Sequence, residues 1–319
     1  MSSKADFPPT LVVVTGPTAS GKSALAMRLA LHFGSHIISA DSRQIFHGLP
    51  IGTAAPTPAD REAVPHHFVD MLPLDGYYSA AQFETDALAL LDTLFAENPV
   101  QVMCGGSMMY VDAVCNGIDE LPTISPEIRR RAADIYRNGG IEALRATLRD
   151  LDPDYLEQVD TNNHKRLVHA IEISLEAGVP YSSLRTGEKR RRPFRIVKMA
   201  IDMPRDVLFD RINARVDKMV ADGLVEEARR VYPLRHLNSL NTVGYKELFR
   251  YFDGEWDLDT AIARIKKNTR VYAKKQMTWL HRDTDIIYLS PADAFSQALE
   301  SIISKEHSML ICKFFEKKL

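Results

Sequence analysis

The stretch GPTASGKS, residues 16–23, decides the reading of the fold. It satisfies G-x-x-x-x-G-K-[ST] in full, and its flanks supply the context that the motif needs. LVVV (11–14) stands before it, a short β-branched run that reads as a buried strand. ALAMRLALHFG (24–34) follows, with Leu25, Ala26, Leu29, Ala30 and Phe33 at helical spacing and Gly34 as a stop. Between strand and helix, the loop formed by Gly16, Pro17, Thr18, Ala19, Ser20, Gly21, Lys22 and Ser23 is an anion cradle. Its backbone N–H groups point at the ligand, Lys22 adds a point charge and Ser23 can hold a Mg²⁺. A plain turn joining strand to helix is the bland alternative, and the Lys-Ser ending on a helix start speaks against it.

At 319 residues the chain exceeds the usual single-domain size, which predicts one large core plus a subdomain or insertion. Forty basic residues against forty-two acidic ones give a net charge of −2, so any nucleic-acid binding has to come from a local patch. Cys104, Cys115 and Cys312 are too few and too far apart for a disulfide framework or a metal knuckle, and they read as buried, reduced thiols. MSSKADFPPT at the N-terminus lacks the pattern of a secretory signal, and no apolar run is long enough to span a bilayer. A cytoplasmic protein without a membrane partner is therefore expected.

Four further segments read as strands of the same core: HIISAD (36–41), HHFVDM (66–71), VQVMCGG (100–106) and RIVKMAID (195–202). Helical patterns such as SAAQFETDALALLDTLFA lie between most of them. The alternation predicts an α/β fold, a mainly parallel sheet with right-handed crossovers and helices on both faces. Ligands bind at the carboxyl ends of such strands, where the phosphate loop, Asp41 and Gly105-Gly106-Ser107 all fall. Residues 118–192 break the alternation and look helical throughout. Thr123 or Ser125 can cap a helix with Pro126 in its first turn, and HKRLVHAIEISLEAG puts Leu167, Ala170, Ile171, Ser174 and Leu175 on one face. The expected organisation is a core over 7–117, an all-helical insertion over 118–192, the second part of the core with C-terminal helices over 193–305, and a tail over 306–319.

Several residues qualify for chemistry. Asp41 can hold Mg²⁺ through water or accept a proton from an acceptor nucleophile; it can also be a plain helix cap, and Asp70 and Asp202 compete for the metal role. Ser107 can donate to a phosphate oxygen or cap a helix. Arg211 and Arg215 stand four apart, able to fork toward a pyrophosphate or simply to be solvated. Six cations between Arg185 and Arg195, and a second run in RIKKNTRVYAKK near Tyr272 and Trp279, suggest a phosphate-backbone footprint. His66 and His67 alternate faces on a strand and read as structural, and Met103, Met108 and Met109 as core filler.

Taken in order, GPTASGKSALA, IISADSRQIFHGLPIGTAAPT, YSAAQFETDA, GGSMMYVDAV, RVDKMVADGLVEEA, VGYKE and RVYAKKQMTWL resemble the bacterial tRNA dimethylallyltransferases, also called tRNA isopentenyltransferases, from about residue 11 to 283. The resemblance implies a P-loop NTPase-like fold whose loop holds the pyrophosphate of dimethylallyl diphosphate, with Mg²⁺ as cofactor and the exocyclic amine of the adenine at tRNA position 37 as acceptor. It implies that Asp41 orients and deprotonates that amine, that Ser107, where the family usually has Thr, offers its hydroxyl to a phosphate oxygen, and that Arg215 lies along the channel toward pyrophosphate. Asp41, Ser42, Arg43 and Gln44, with Asn241, Gly244, Tyr245 and Lys246, would border the adenine's path. Arg129, Lys165 and Arg166 of the insertion would grip the anticodon stem-loop of a tRNA bound by a monomer. Asn163-His164 departs from the Asp-Pro that many relatives carry before the basic residue.

Three rivals remain. A small-molecule kinase needs only the loop and a strand-end Asp, and gives the basic insertion no role. An adenylate isopentenyltransferase uses the same donor with AMP or ATP, which needs no stem-loop clamp. A non-catalytic RNA-binding regulator would not need an intact Gly21-Lys22-Ser23.

Overall fold

In this computed structural model the structure describes residues 7–303; the expected tail at 306–319 and Cys312 lie outside them. Their order is β1 (Thr10–Thr15), α1 (Lys22–Phe33), β2 (Ile37–Ser39), α2 (Pro58–Ala63), β3 (His66–His67), α3 (Ala80–Glu97), β4 (Val100–Cys104) and α4 (Met108–Asn116). Then come α5 (Pro126–Leu151), α6 (Pro153–Gln158), α7 (His164–Ala177), α8 (Tyr181–Leu184), β5 (Arg195–Ile201), α9 (Arg205–Ala221) and α10 (Leu224–Val231). Then follow α11 (Tyr245–Phe252), α12 (Leu258–Leu280) and β6 (Ile287–Leu289), and residues 294–303 are again helical. Chain contacts divide them into two compact units, one made of the residues up to Cys115 and those from Arg192 onward, the other of Asn116–Arg191.

The first unit is built on a six-stranded sheet ordered β3-β2-β4-β1-β5-β6, parallel at every pairing. All six residues of β1 are buried, as expected of a central strand covered on both faces. The two-residue side-chain period divides it. Val12 and Val14 pack with Leu25 and Leu29 of α1 and Leu208 and Ile212 of α9, while Leu11 and Val13 pack with Phe83 and Leu91 of α3 and Val111 of α4. Helices therefore cover both faces. A third cluster joins Ile45 and Leu49 to Tyr245 and Leu248 of α11 and Ile265 of α12.

Register decides where the strands end. Val14 and Ser39 both pair with Cys104, so β1, β2 and β4 stop on one row and release their following loops on one edge. Two segments differ from expectation. β2 ends at Ser39, two residues short of Asp41, and β3 is only two residues long. Beyond His67 the chain turns away through Phe68 (φ 62°) and Asp70 (φ 54°), and Asp70 and Met71 donate their N–H groups to Gln44 and Ile45. The edge strand β6, three residues long, carried too short a pattern to be read from the sequence.

The second unit is helical. Ser125 caps α5, accepting the Ile128 N–H, with Pro126 in the first turn. Gly140 (φ 61°) breaks α5 into two helical segments inside Arg137-Asn138-Gly139-Gly140. Asn163 caps α7, accepting the Arg166 N–H, so the departure from Asp at this position keeps the capping function. Leu144, Leu148, Leu167, Ala170 and Ile171 form the unit's own core.

Candidate active site

The phosphate loop is shaped by three left-handed residues, Gly16 (φ 141°), Ala19 (φ 65°) and Gly21 (φ 100°). Gly21 is the N-cap of α1 and supplies no side-chain cap, which leaves the first N–H groups of the helix for a ligand. Lys22 Nζ donates to the Pro17 carbonyl at 3.3 Å, folding back over the loop. Burial lowers its pKa, Arg215 adds to the effect, and Cys104 and Asp41 oppose it. Arg215 is likewise lowered by burial and partly restored by Asp41. Lys22, Arg215 and Asp41 thus form one electrostatic group around an anion-sized space.

Asp41 is brought there by backbone, not by its own strand. Ala40 donates to the Cys104 carbonyl at 2.8 Å and Ser107 N–H donates to the Ala40 carbonyl at 3.1 Å. A Cβ on Gly105 would overlap the Ala40 backbone, so the chain leaving β2 can run against the loop leaving β4 only because residue 105 is glycine. Ser107 Oγ then accepts the Ser42 N–H at 2.9 Å and donates to Ser42 Oγ at 3.1 Å. Asp41 Oδ1 accepts the N–H groups of Arg43 (2.9 Å) and Gln44 (3.4 Å); Oδ2 takes no hydrogen bond from the described residues. The carboxylate is held by one oxygen and presents the other.

These groups line a cavity of about 510 Å³. Of the residues singled out in the sequence, Thr18, Lys22, Ser23, Asp41, Ser42, Arg43, Gln44, Ser107, Arg215, Asn241, Gly244 and Lys246 border it. Others do not. Tyr245 is fully buried beneath it, its hydroxyl donating to Glu227 at 2.7 Å, which corrects the expectation that it meets the adenine. Arg211 donates to Met203 Sδ (3.7 Å), so the arginine fork has one prong at the cavity. Asp70 lies against His47 (3.1 Å) and Arg61 (3.7 Å), and neither it nor Asp202 borders the cavity. Arg129, Lys165 and Arg166 are exposed on the second unit. Met103 is core, whereas Met109 is 66% exposed. His67 stacks on His36, with ring nitrogens 2.9 Å apart.

Two expected contact residues are struts. Arg43 donates to the carbonyls of Asn238 (2.8 Å) and Ser239 (3.2 Å), and the Gln44 amide spans Ser39 Oγ and the carbonyls of Thr53 and Ala54. The basic runs are also divided by their partners. Arg192 is buried on Glu84 and on two carbonyls of α4, and Lys266 pairs with Asp217, while Lys275 borders the cavity.

Sequence reading missed several supports. Glu227 accepts the N–H groups of Ile51 (2.9 Å) and Gly52 (2.7 Å), Glu247 closes the capping box of α11 and holds Asn268, and Gln276 reaches the phosphate loop. Their only signal was polarity at positions whose helical neighbours are core. Ile212, Val216, Met219 and Ile265 make the cavity's apolar wall. Cys104 lies at its base, in contact with Ser23, and burial pushes its thiol up to about 11, which keeps it neutral.

A phosphate cradle, two cations, one half-held carboxylate and an apolar wall on a parallel sheet edge define a P-loop α/β enzyme that handles a phosphorylated substrate. The profile described as IPP transferase matches residues 44–283. tRNA dimethylallyltransferase 2 of Parabacteroides distasonis is 55% identical over 88% of this chain and 94% of its own length. tRNA dimethylallyltransferase 1 of Phocaeicola vulgatus is 52% identical over 94% of this chain and all of its own. The crystal structure of the full-length tRNA isopentenylpyrophosphate transferase from Bacillus halodurans superposes with a TM-score of 0.70 at 31% identity, covering 97% of this chain and 99% of that one. The chain belongs to the IPP transferase family.

Proposed function

We propose that the protein transfers the dimethylallyl group of dimethylallyl diphosphate to the N6 amine of adenosine at position 37 of tRNA, releasing diphosphate. The observation that carries this is a single cavity bordered at once by the phosphate-loop residues Lys22 and Ser23, by Arg215 and by the available oxygen of Asp41. A kinase needs the first part only. Relatives at 52–55% identity are tRNA dimethylallyltransferases, which supports a dimethylallyl group as cargo and tRNA as acceptor.

The chemistry follows from charge. Breaking the carbon–oxygen bond at the allylic carbon puts positive charge on carbon and negative charge on the departing diphosphate. Helix-start N–H groups, Lys22 and Arg215 stabilise the anion as it forms. Among hard-oxygen donors at the cavity, the Ser23 hydroxyl fits Mg²⁺, an ion that takes few protein ligands and keeps its waters, and when bound it supplies further charge neutralisation to the diphosphate. The apolar wall takes the five-carbon chain and excludes water from the cation. Asp41 Oδ2 accepts the amine proton as nitrogen bonds to carbon. Ser107, whose hydroxyl holds Ser42, keeps that carboxylate in place and has lone-pair capacity left for a substrate oxygen.

The adenine has to leave the anticodon stack to reach the carboxylate. Asn241, Gly244, Lys246 and Ser42 border the cavity it enters, Arg43 and Gln44 brace the loop beside them, and the exposed Arg129, Lys165 and Arg166 take the stem-loop phosphates. Among the described residues no helix is long and apolar enough to cross a membrane. The test is incubation with Mg²⁺, dimethylallyl diphosphate and unmodified tRNA, with parallel AMP and ATP reactions, followed by nucleoside mass spectrometry. Dimethylallyl-adenosine is expected in tRNA alone, falling by about 10²–10⁴ in Asp41→Asn, the usual contribution of a general base. Product on AMP or ATP would move the acceptor to a free nucleotide, and phosphate transfer from ATP without prenylation would return the loop to the kinases.

A further inference from the structure

Gln276 sits on α12 at 3% exposure, and both polar atoms of its amide are spent on the backbone of two different loops. Its Oε1 accepts the Thr18 N–H at 3.0 Å in the phosphate loop, and its Nε2 donates to the Gly106 carbonyl at 2.8 Å. One turn earlier on the same helix, the Tyr272 hydroxyl reaches that carbonyl at 3.5 Å. The approach is close: a Cβ on Gly106 would run into the Gln276 amide nitrogen. Gly106 leads directly into Ser107, which holds Ser42 beside Asp41. One side chain therefore ties the loop under the diphosphate to the chain that carries the carboxylate.

We propose that Gln276 is a positioning residue that sets the span between the leaving-group side and the acceptor side of the cavity. The proposal rests on the transferase reading above. An amide suits the task because it offers one acceptor and two donors on a single rigid plane, whereas a carboxylate offers acceptors only and a thioether almost nothing. The donor carbon is placed by one loop and the amine by the other, and a misplacement of about 1 Å between reacting atoms costs on the order of 100-fold in rate. Each substrate keeps its own binding groups, so ground-state affinity changes little. Thr18 N–H is already engaged by Gln276, so it is not among the donors a phosphate uses, and releasing it does not weaken diphosphate binding.

The test compares wild type with Gln276→Met, which keeps length and removes both hydrogen bonds, and with Gly106→Ala, which crowds the amide from the other side. Steady-state transfer to tRNA, calorimetric binding of inorganic pyrophosphate with Mg²⁺, and melting curves are measured on all three and on the double variant. Expected is a kcat loss of about 10–100-fold in each single variant. Both substrate KM values and the pyrophosphate Kd should stay within about threefold, unfolding should remain cooperative, and the double variant should lose little more than either alone, as residues acting as one unit do. A wild type that transfers while both variants keep kcat, or lose only donor KM and pyrophosphate affinity, overturns the positioning role alone. A wild type that makes no dimethylallyl-adenosine overturns the transferase reading, and the proposal falls with it.

Discussion

Tyr245 was expected at the adenine's path, and its burial makes a sharp test of what the VGYKE stretch does. The ring packs against Gly52, where a Cβ would overlap it, and the hydroxyl donates to a carboxylate that is itself fully buried. Burial, then the Glu227 charge, push the phenol far above its ordinary pKa, so it is a permanent donor. Tyr245→Phe keeps the packed ring and removes only that donor. Glu227 retains the Ile51 and Gly52 N–H groups and loses one of three bonds. A hydrogen bond to a charged group contributes about 1.5–3 kcal/mol. A change of 1 kcal/mol moves Tm by roughly 2–4 °C in a unit of 150–250 residues, so a drop of about 3–12 °C is expected. Melting followed by circular dichroism, with KM for tRNA determined in parallel below the transition, checks it. An unchanged Tm together with a several-fold rise in tRNA KM would refute the reasoning, because the hydroxyl would then be meeting substrate and not Glu227.

Further outcomes follow from the same contacts. Arg192→Met removes one partner of a buried ion pair with Glu84, both side chains being under 10% exposed, along with its bonds to two α4 carbonyls, and should cost about 3–5 kcal/mol in urea unfolding. The salt dependence of tRNA binding should not change, since Arg192 is not part of a phosphate footprint. Lys22 is cationic below its lowered pKa and neutral above it, so pyrophosphate affinity should fall with rising pH earlier than an ordinary lysine would cause. Calorimetry across the alkaline range should show that limb in wild type and lose it in Lys22→Arg; the same limb in both would assign it to another group.

The local parts of this protein were legible in its sequence. A phosphate loop, a helix cap at Ser125, a stop at Gly34 and the buried run of β1 depend on neighbours within a few residues, whose spacing dictates which groups meet. The strand at 66–71 failed for a tertiary reason: its backbone pairs with residues 44 and 45, and no propensity within the segment reveals that competitor. The site is the same mixture. Asp41, Lys22 and Arg215 could be singled out by residue type, but sequence could not rank Asp41 above Asp70 and Asp202, because that depends on which strand end reaches the cavity. Only the parallel register and the close approach allowed by Gly105 bring Ser107 to Ser42 across 65 residues, and only the packing of α12 brings Gln276 to Thr18 across 258. Glu227 and Tyr245 show the converse, polar residues that pattern alone places at a surface and that folding turns inward, where each satisfies the other. Hydrogen-bonding groups at such distances in the chain carry no periodicity, so their pairing exists only once the sheet has set the strand ends side by side.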